Sequence, residues 1–361
     1  MSSRHSSSSS AQSSLASQPA QRPSWSEAIA VYRQPRVITM LFLGFAAGLP
    51  LLLVFSTLSA WLRDMEVSRS AIGFFGWVGI TYSIKVFWAP IVDRVPLPWL
   101  TAALGKRRSW ILLGQFGIML GLLGMALVDA QNNLMAVALM ALVVAFSSST
   151  QDIAIDALRI EAAEPEYQGA MSATYILGYR VAMLVAGAGA LYIAQYAEPM
   201  VGKAEAWQWS YAAMASLMLV GVVTVLVIGE PSEPNVEHLG DELVEELLHR
   251  KARSKPERAA VWFASAVVAP FVDFFKRNGR FALVILLFIG MFRLSDIVMG
   301  IMANPFYLDL GFSKAEIASI GKLFGFFMTI AGSFLGGLMV VRYGINPVSY
   351  THLRAHETDS Y

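Results

Sequence analysis

WQWSYAAMASLMLVGVVTVLVI (207–228) runs directly into GEPSEPNVEHLGDELVEELLHRKARSKPER (229–258), and this change of character decides the fold. The first block is an apolar stretch of the length, about 20 residues, that a helix needs to cross the hydrocarbon core. The second is dense in charge and cannot enter lipid. Working upstream, five more apolar blocks qualify as spans: 37–62, 71–92, 109–128, 134–155 and 170–196. Downstream, 281–305 and 316–341 qualify as well. Each block is too long and continuous for a strand, so the expected class is an all-α membrane protein. Composition agrees: 56% of residues are hydrophobic and 15% charged, against about 25% charged in soluble domains, and the mean hydropathy is +0.53.

Charge in the connections sets the expected orientation, because Lys and Arg collect on the cytoplasmic side. Arg4, Arg22, Arg33 and Arg36 precede span one, and Arg94, Lys106, Arg107 and Arg108 separate spans two and three. Arg250, Lys251, Arg253, Lys255, Arg258, Lys276, Arg277 and Arg280 lie between spans six and seven. The other side receives only Arg63, Arg69, Lys203 and Lys314. Both ends of the chain are therefore expected on the cytoplasmic side. Residues 1–33 open with a Ser-rich run, Ser6 to Ser10, that cannot bury enough apolar surface to fold and reads as a disordered cytoplasmic tail. It lacks the apolar core of a signal peptide, so span one is expected to direct insertion.

The expected organisation is a six-helix bundle at 34–228, a cytoplasmic linker at 229–280 and the start of a second bundle at 281–346. Residues 259–275 (AAVWFASAVVAPFVDFF) are too short to span and are interrupted by Pro270, so they are expected to lie along the cytoplasmic surface. Six helices, a cytoplasmic loop and a restart is a layout similar to that of the major facilitator superfamily, whose halves are parallel repeats. Eight of an expected twelve or more helices are then present. VSYTHLRAHETDSY (348–361) breaks from the apolar pattern and is similar to translated read-through of a sequencing adapter. The segment 347–361 is accordingly expected to be non-native, on a chain expected to be truncated and, alone, unstable and inactive.

Seven charges in or at the edge of the apolar blocks matter, Lys85, Asp152, Asp156, Arg180, Arg293, Asp296 and Lys322, with Asp156 at the inner boundary of its block. Ionisable groups in lipid are costly and are functional candidates on that ground. At about 1.5 Å of rise per residue, Lys85, Asp152 and Arg180 reach similar heights and are expected to form a network facing one cavity. Asp152 and Asp156 share a helix face. Cations outnumber anions in this set, which favours an anionic substrate, and the carboxylates are candidate proton carriers because burial and nearby cations pull an Asp in opposite directions. Static ion pairs holding the helices in register would also account for these charges. Gly44, Gly48 and Pro50 in GFAAGLP can serve either as close packing or as a hinge.

Several motifs in the same order resemble the AmpG-type muropeptide permeases. These are QPR (34–36) with LGFAAGLPL (43–51), IGFFGWVGITYSIKVFWAPIVDR (72–94), SSSTQDIAIDA (147–157), LGYRVAMLVAG (177–187) and VVAPFVDFFKRN (267–278). The resemblance covers about residues 33–345 and implies import of anhydro-muropeptides, driven by protons, from periplasm to cytoplasm. It carries over functional positions at Lys85, Asp93, Gln151, Asp152, Asp156, Arg180 and Asp296. Asp93, Arg94, Lys106, Arg107 and Arg108 would then be gating residues of a cytoplasmic loop, although that loop is longer than the compact superfamily pattern. Acetyl-coenzyme A transporters share the pattern of spans one and two, so another organic anion remains an alternative.

Other classes have less support. The chain has no cysteine, and its five histidines lie outside the spans, so no catalytic residue, metal site or cofactor is expected. A receptor or scaffold that moves nothing would show no substrate-dependent proton movement. The expected partners are the lipid bilayer, an anionic small molecule and protons, with no nucleic acid.

Overall fold

The computed structural model describes residues 30–162, 165–230 and 269–328, and the regular elements among them are all helical. Among the described residues, six helices meet both the length and the apolarity needed to cross a membrane: Pro35–Asp64, Arg69–Phe87, Lys106–Leu127, Leu134–Glu161, Tyr167–Val201 and Lys203–Val227, here spans one to six. Span seven is Phe281–Asp309. Span eight opens with Lys314–Glu316, continues as a π-helix over Ile317–Phe324, and is described to Met328. Large apolar side chains such as Phe116, Leu120, Leu127, Met135 and Leu139 are exposed around the outside. In a chain with these spans, that surface faces lipid. The protein is a multi-pass, all-α membrane protein.

Span one shows how sequence sets geometry. Pro50 has no N–H to give to the carbonyl four residues back, that of Ala46. The helix nevertheless continues to Val54. The freed Ala46 oxygen accepts instead from Gln151 Nε2 of span four at 3.3 Å. The interruption comes at Phe55 (φ −120°, ψ −99°), and the helix resumes at Ser56–Asp64. Carbonyls near this break find side-chain donors: Tyr211 Oη donates to Leu53 at 2.9 Å, and Asn304 Nδ2 to Ser56 at 2.6 Å.

Spans one and five cross with their backbones in contact. A methyl group on Gly44 or Gly48 would run into the main-chain oxygen of Tyr175 or Tyr179, and one on Gly178 into that of Leu41. Gly44 and Gly48 thus hold a packing position at which any side chain separates two backbones. Gly114, Gly121 and Gly124 admit Gln151, Val144 and Met140 of span four in the same manner. Span two is irregular, alternating α-helix with 3₁₀ turns at Gly76–Gly79 and Ile84–Phe87.

Spans seven and eight meet the first six towards one end, which we call the Asp64 end; the opposite end is the Arg94 end. Several hydrogen bonds and ion pairs between the two sets lie in the half of the molecule nearer Asp64. They include Asn304 to Ser56, and Tyr192 Oη to Ser319 Oγ at 2.6 Å. Towards the Arg94 end, Leu283 and Leu287 of span seven are exposed. Before span seven, Ala269–Asn278 forms a separate helix, divided from the span by Gly279 at φ +52°. It is too short to cross a bilayer. Residues 259–268, most of the charged linker, the N-terminal tail and everything past 328 lie outside the described residues.

Candidate functional site

The charges singled out inside the spans fall into separate groups. Asp152 sits on span four with one carboxylate oxygen, Oδ1, buried and lacking a hydrogen-bond partner among the described residues. Lys85 of span two and Asp156, one turn along, lie within electrostatic range of it. Tyr82, Tyr175 and Tyr179 surround the same carboxylate at that range. Asp156 also pairs with Arg159 at 3.1 Å. Arg159 Nη1 reaches Ser172 Oγ on span five at 2.6 Å, and its guanidinium lies 5.9 Å from the Tyr175 ring centre. Arg159 and the three tyrosines were not singled out in the sequence. Arg159 sits three residues past Asp156 in the last turn of the span, where a basic residue reads as an ordinary helix end.

Arg180 is placed apart from this group. Its charge acts on Tyr179, but it makes no ion pair with Asp152 among the described residues, so the expected network of Lys85, Asp152 and Arg180 is divided. The cause is helical phase. Tyr175 and Tyr179 turn toward Asp152, whereas Arg180, one residue further, projects into a cavity of about 560 Å³. Lys322 enters the same cavity from span eight. The remaining walls are largely apolar, including Leu52, Ile176, Leu177, Met183 and Phe326. No carboxylate lines it among the described residues.

Both halves are distorted where they face this cavity. Span five carries a π-helical turn at Val185–Gly189, and Lys322 lies within the π-helix of span eight. A methyl group on Gly187 would be 3.5 Å from the Lys322 side chain. Lys322 Nζ is 3.4 Å from Ser56 Oγ, next to the break in span one. Such π-turns leave backbone groups free to reorganise and recur at functional sites. Arg293 and Asp296 lie on span seven, but their side chains are outside the described residues.

At the Arg94 end the loop between spans two and three folds back on itself. Asp93 and Arg94 close the helix Ala89–Arg94, and Lys106 begins span three. The extra residues form a short helix, Leu100–Leu104, and Trp110 Nε1 donates to the Val95 carbonyl at 2.8 Å. This return brings Arg107 to Asp93 at 2.9 Å and to Glu161 of span four at 2.5 Å. Span three starts behind Gly105, at φ +92° and with no side chain to cap it. Glu230 does so from beyond span six, accepting from the Arg107 and Arg108 amides at 2.7 and 3.2 Å. Arg108 in turn donates to the carbonyls of Val225 and Leu226. Arg107→Lys keeps the charge but loses the planar fork that spans two carboxylates, so stability should fall by about 1–2 kcal/mol. Thermal unfolding in detergent reads this.

The arrangement sets two cations from different halves facing a partly apolar chamber. The sequence profile of the Major Facilitator Superfamily matches residues 40–351. A protein of Rickettsia conorii named putative transporter AmpG 4 is 36% identical over 314 residues, covering 87% of this chain and 70% of the relative. The anhydromuropeptide permease of Escherichia coli K12 is 33% identical over 321 residues, covering 89% of this chain and 58% of the permease. The putative transporter AmpG 3 of Rickettsia prowazekii is 30% identical over 316 residues, 87% of this chain and 70% of that protein.

Proposed function

This chain belongs to the AmpG-type transporters of the Major Facilitator Superfamily, and from that premise we propose that it imports anhydro-muropeptides across the bacterial inner membrane together with protons, driven by the proton gradient. The observation that carries the substrate class is the pairing of Arg180 and Lys322 in one cavity without a lining carboxylate among the described residues. An unpaired cation in a low-dielectric chamber is costly, and an anionic ligand removes that cost. The peptide carboxylates of a muropeptide supply the charge. Ile176, Leu177, Met183 and Phe326 offer apolar surface to the rest of the molecule. Similarity to the permease named for this substrate supports the same reading.

The N-terminus lies in the cytoplasm in this reading. The Arg94 end, with Lys106, Arg107 and Arg108, then faces inward, and the Asp64 end faces the periplasm. The helix Ala269–Asn278 lies against the inner surface, with Lys276 and Arg277 toward the headgroups. Binding and conformational change account for the activity, with no catalytic step. Asp152 is the proton carrier: one of its oxygens is buried without a partner, and Lys85 supplies a competing cation.

Asp152→Asn should leave substrate exchange intact and remove accumulation driven by a gradient. For one proton and one pH unit, that accumulation is about tenfold. Uptake of labelled anhydro-muropeptide into right-side-out vesicles carrying the product of the complete gene tests the assignment. Saturable uptake inhibited by unlabelled muropeptide supports it. Inhibition by acyl-coenzyme A alone would assign the cavity to another organic anion.

A further inference from the structure

We propose that Lys314 is the centre of an ion-pair latch that holds the two halves together at the Asp64 end and must part for the cavity to open there. Lys314 begins span eight and is 4% exposed. Its ammonium is 2.8 Å from Asp64 Oδ2 of span one and 2.5 Å from Glu198 Oε2 of span five. Trp207 of span six donates to the same Asp64 oxygen at 2.7 Å, and its ring centre lies 5.7 Å from the Lys314 nitrogen. Lys203 approaches Asp64 at 3.6 Å.

A second contact joins the halves beside it. Asp309, the last residue of span seven, is held by Arg63 and by Arg69, whose Nε lies 2.7 Å away. A polar hollow of about 370 Å³ separates the two contacts. Arg63, Lys203 and Lys314 line it together with Asp64, Glu66, Glu198 and Asp309, and Arg69 supplies a fourth cation from beside it through its pair with Asp309. The same four cations are the ones that the sequence leaves on the side opposite the basic loops. They stand there because they have structural partners, and for Arg63, Arg69 and Lys314 the partner lies in the other half.

Ion pairs suit a closure that must reopen. An apolar seal would expose its apolar area to water at every opening, a cost that grows with the area. A buried ion pair gives up hydration to form and regains it on parting, so the two states differ little in free energy. The cavity with Arg180 and Lys322 lies further in from the Asp64 end. Opening the Asp64 end therefore requires Lys314 to leave both carboxylates.

The test rests on the transporter orientation but not on the identity of the substrate, and it reads no uptake. The chain has no cysteine, so single cysteines report accessibility directly. Gln195→Cys, in the polar hollow, is labelled by an impermeant maleimide from outside proteoliposomes. Leu177→Cys, in the cavity, is labelled from the cytoplasmic side in inside-out vesicles. Adding Lys314→Gln should raise the first rate by about tenfold and lower the second, as expected when a two-state equilibrium moves outward. Lys314→Arg, which can still pair with both carboxylates, should leave both rates within about twofold. General loosening would raise both rates together and would overturn the latch, as would no change in either. If Lys314→Gln does not accumulate in the membrane, Asp309→Asn, which releases only Arg63 and Arg69, should move the two rates in the same opposite directions. Unmoved rates in that variant would count equally against the proposal.

Discussion

Arg180→Gln is expected to lower uptake of an anhydro-muropeptide by about ten- to a hundredfold, since a hydrogen bond to a charged group contributes ~1.5–3 kcal/mol. The side chain lines the cavity, and its guanidinium makes no ion pair among the described residues. Removing it therefore breaks no internal structure, and the loss appears in substrate handling rather than in folding. Lys322→Gln should act in the same direction. The double variant should lose less than the product of the two single losses, because both cations address one anion. Initial rates at fixed substrate, with equal protein in the membrane, give the comparison. Arg180→Glu should be more severe than Arg180→Gln, since it places a like charge against the substrate.

Gly48→Leu is expected to leave no folded protein. The Cα hydrogen of Gly48 faces the Tyr179 carbonyl, and even a methyl group there would collide with backbone rather than with a movable side chain. Overpacking by a few carbons costs about 1–3 kcal/mol where side chains can yield; here two helices would have to part. The same crossing carries Tyr175 and Tyr179 to Asp152 and Arg180 to the cavity, so a variant that survived would also misplace the site. Gly169→Ala is the control, since nothing lies within 4 Å of the added carbon. Accumulation in the membrane and a monodisperse elution peak in detergent distinguish the two: present for Gly169→Ala, absent for Gly48→Leu.

The spans were legible because lipid imposes a simple length requirement on apolar runs. Span one was expected at 37–62 and occupies Pro35–Asp64; span five was expected at 170–196 and occupies Tyr167–Val201. Pro50 marked span one as unusual, but the interruption lies at Phe55, because Gln151 occupies the carbonyl that the proline frees. That compensation comes from a residue 105 positions away, and no local pattern announces it. Height along a helix placed Lys85, Asp152 and Arg180 together, whereas rotation about the helix separates Arg180 from the other two. Depth is counted easily from sequence, while facing depends on the crossing set by Gly44, Gly48 and Gly178.

The ends of the spans were the least legible part. Asp64, Glu198 and Lys314 stand at helix termini, where charged residues are ordinarily solvated. Lys314 is buried only because helices distant in sequence converge on it. Arg107 and Asp93 were noted as loop residues, but their meeting depends on the folded insertion between them. The basic character of the Arg94 end was readable; the role of Glu230 as a cap for span three was not, because it arrives from beyond span six.

Two cations, one from each half, select an anionic muropeptide in the proposed mechanism. Its most direct test is initial uptake of one labelled anhydro-muropeptide beside the same compound with its peptide carboxylates amidated, in right-side-out vesicles carrying the protein. Saturable uptake of the acid is expected, with uptake of the amide lower by about tenfold or more and a difference that shrinks in Arg180→Gln. Equal uptake of acid and amide, or a preference unchanged in Arg180→Gln, would contradict it.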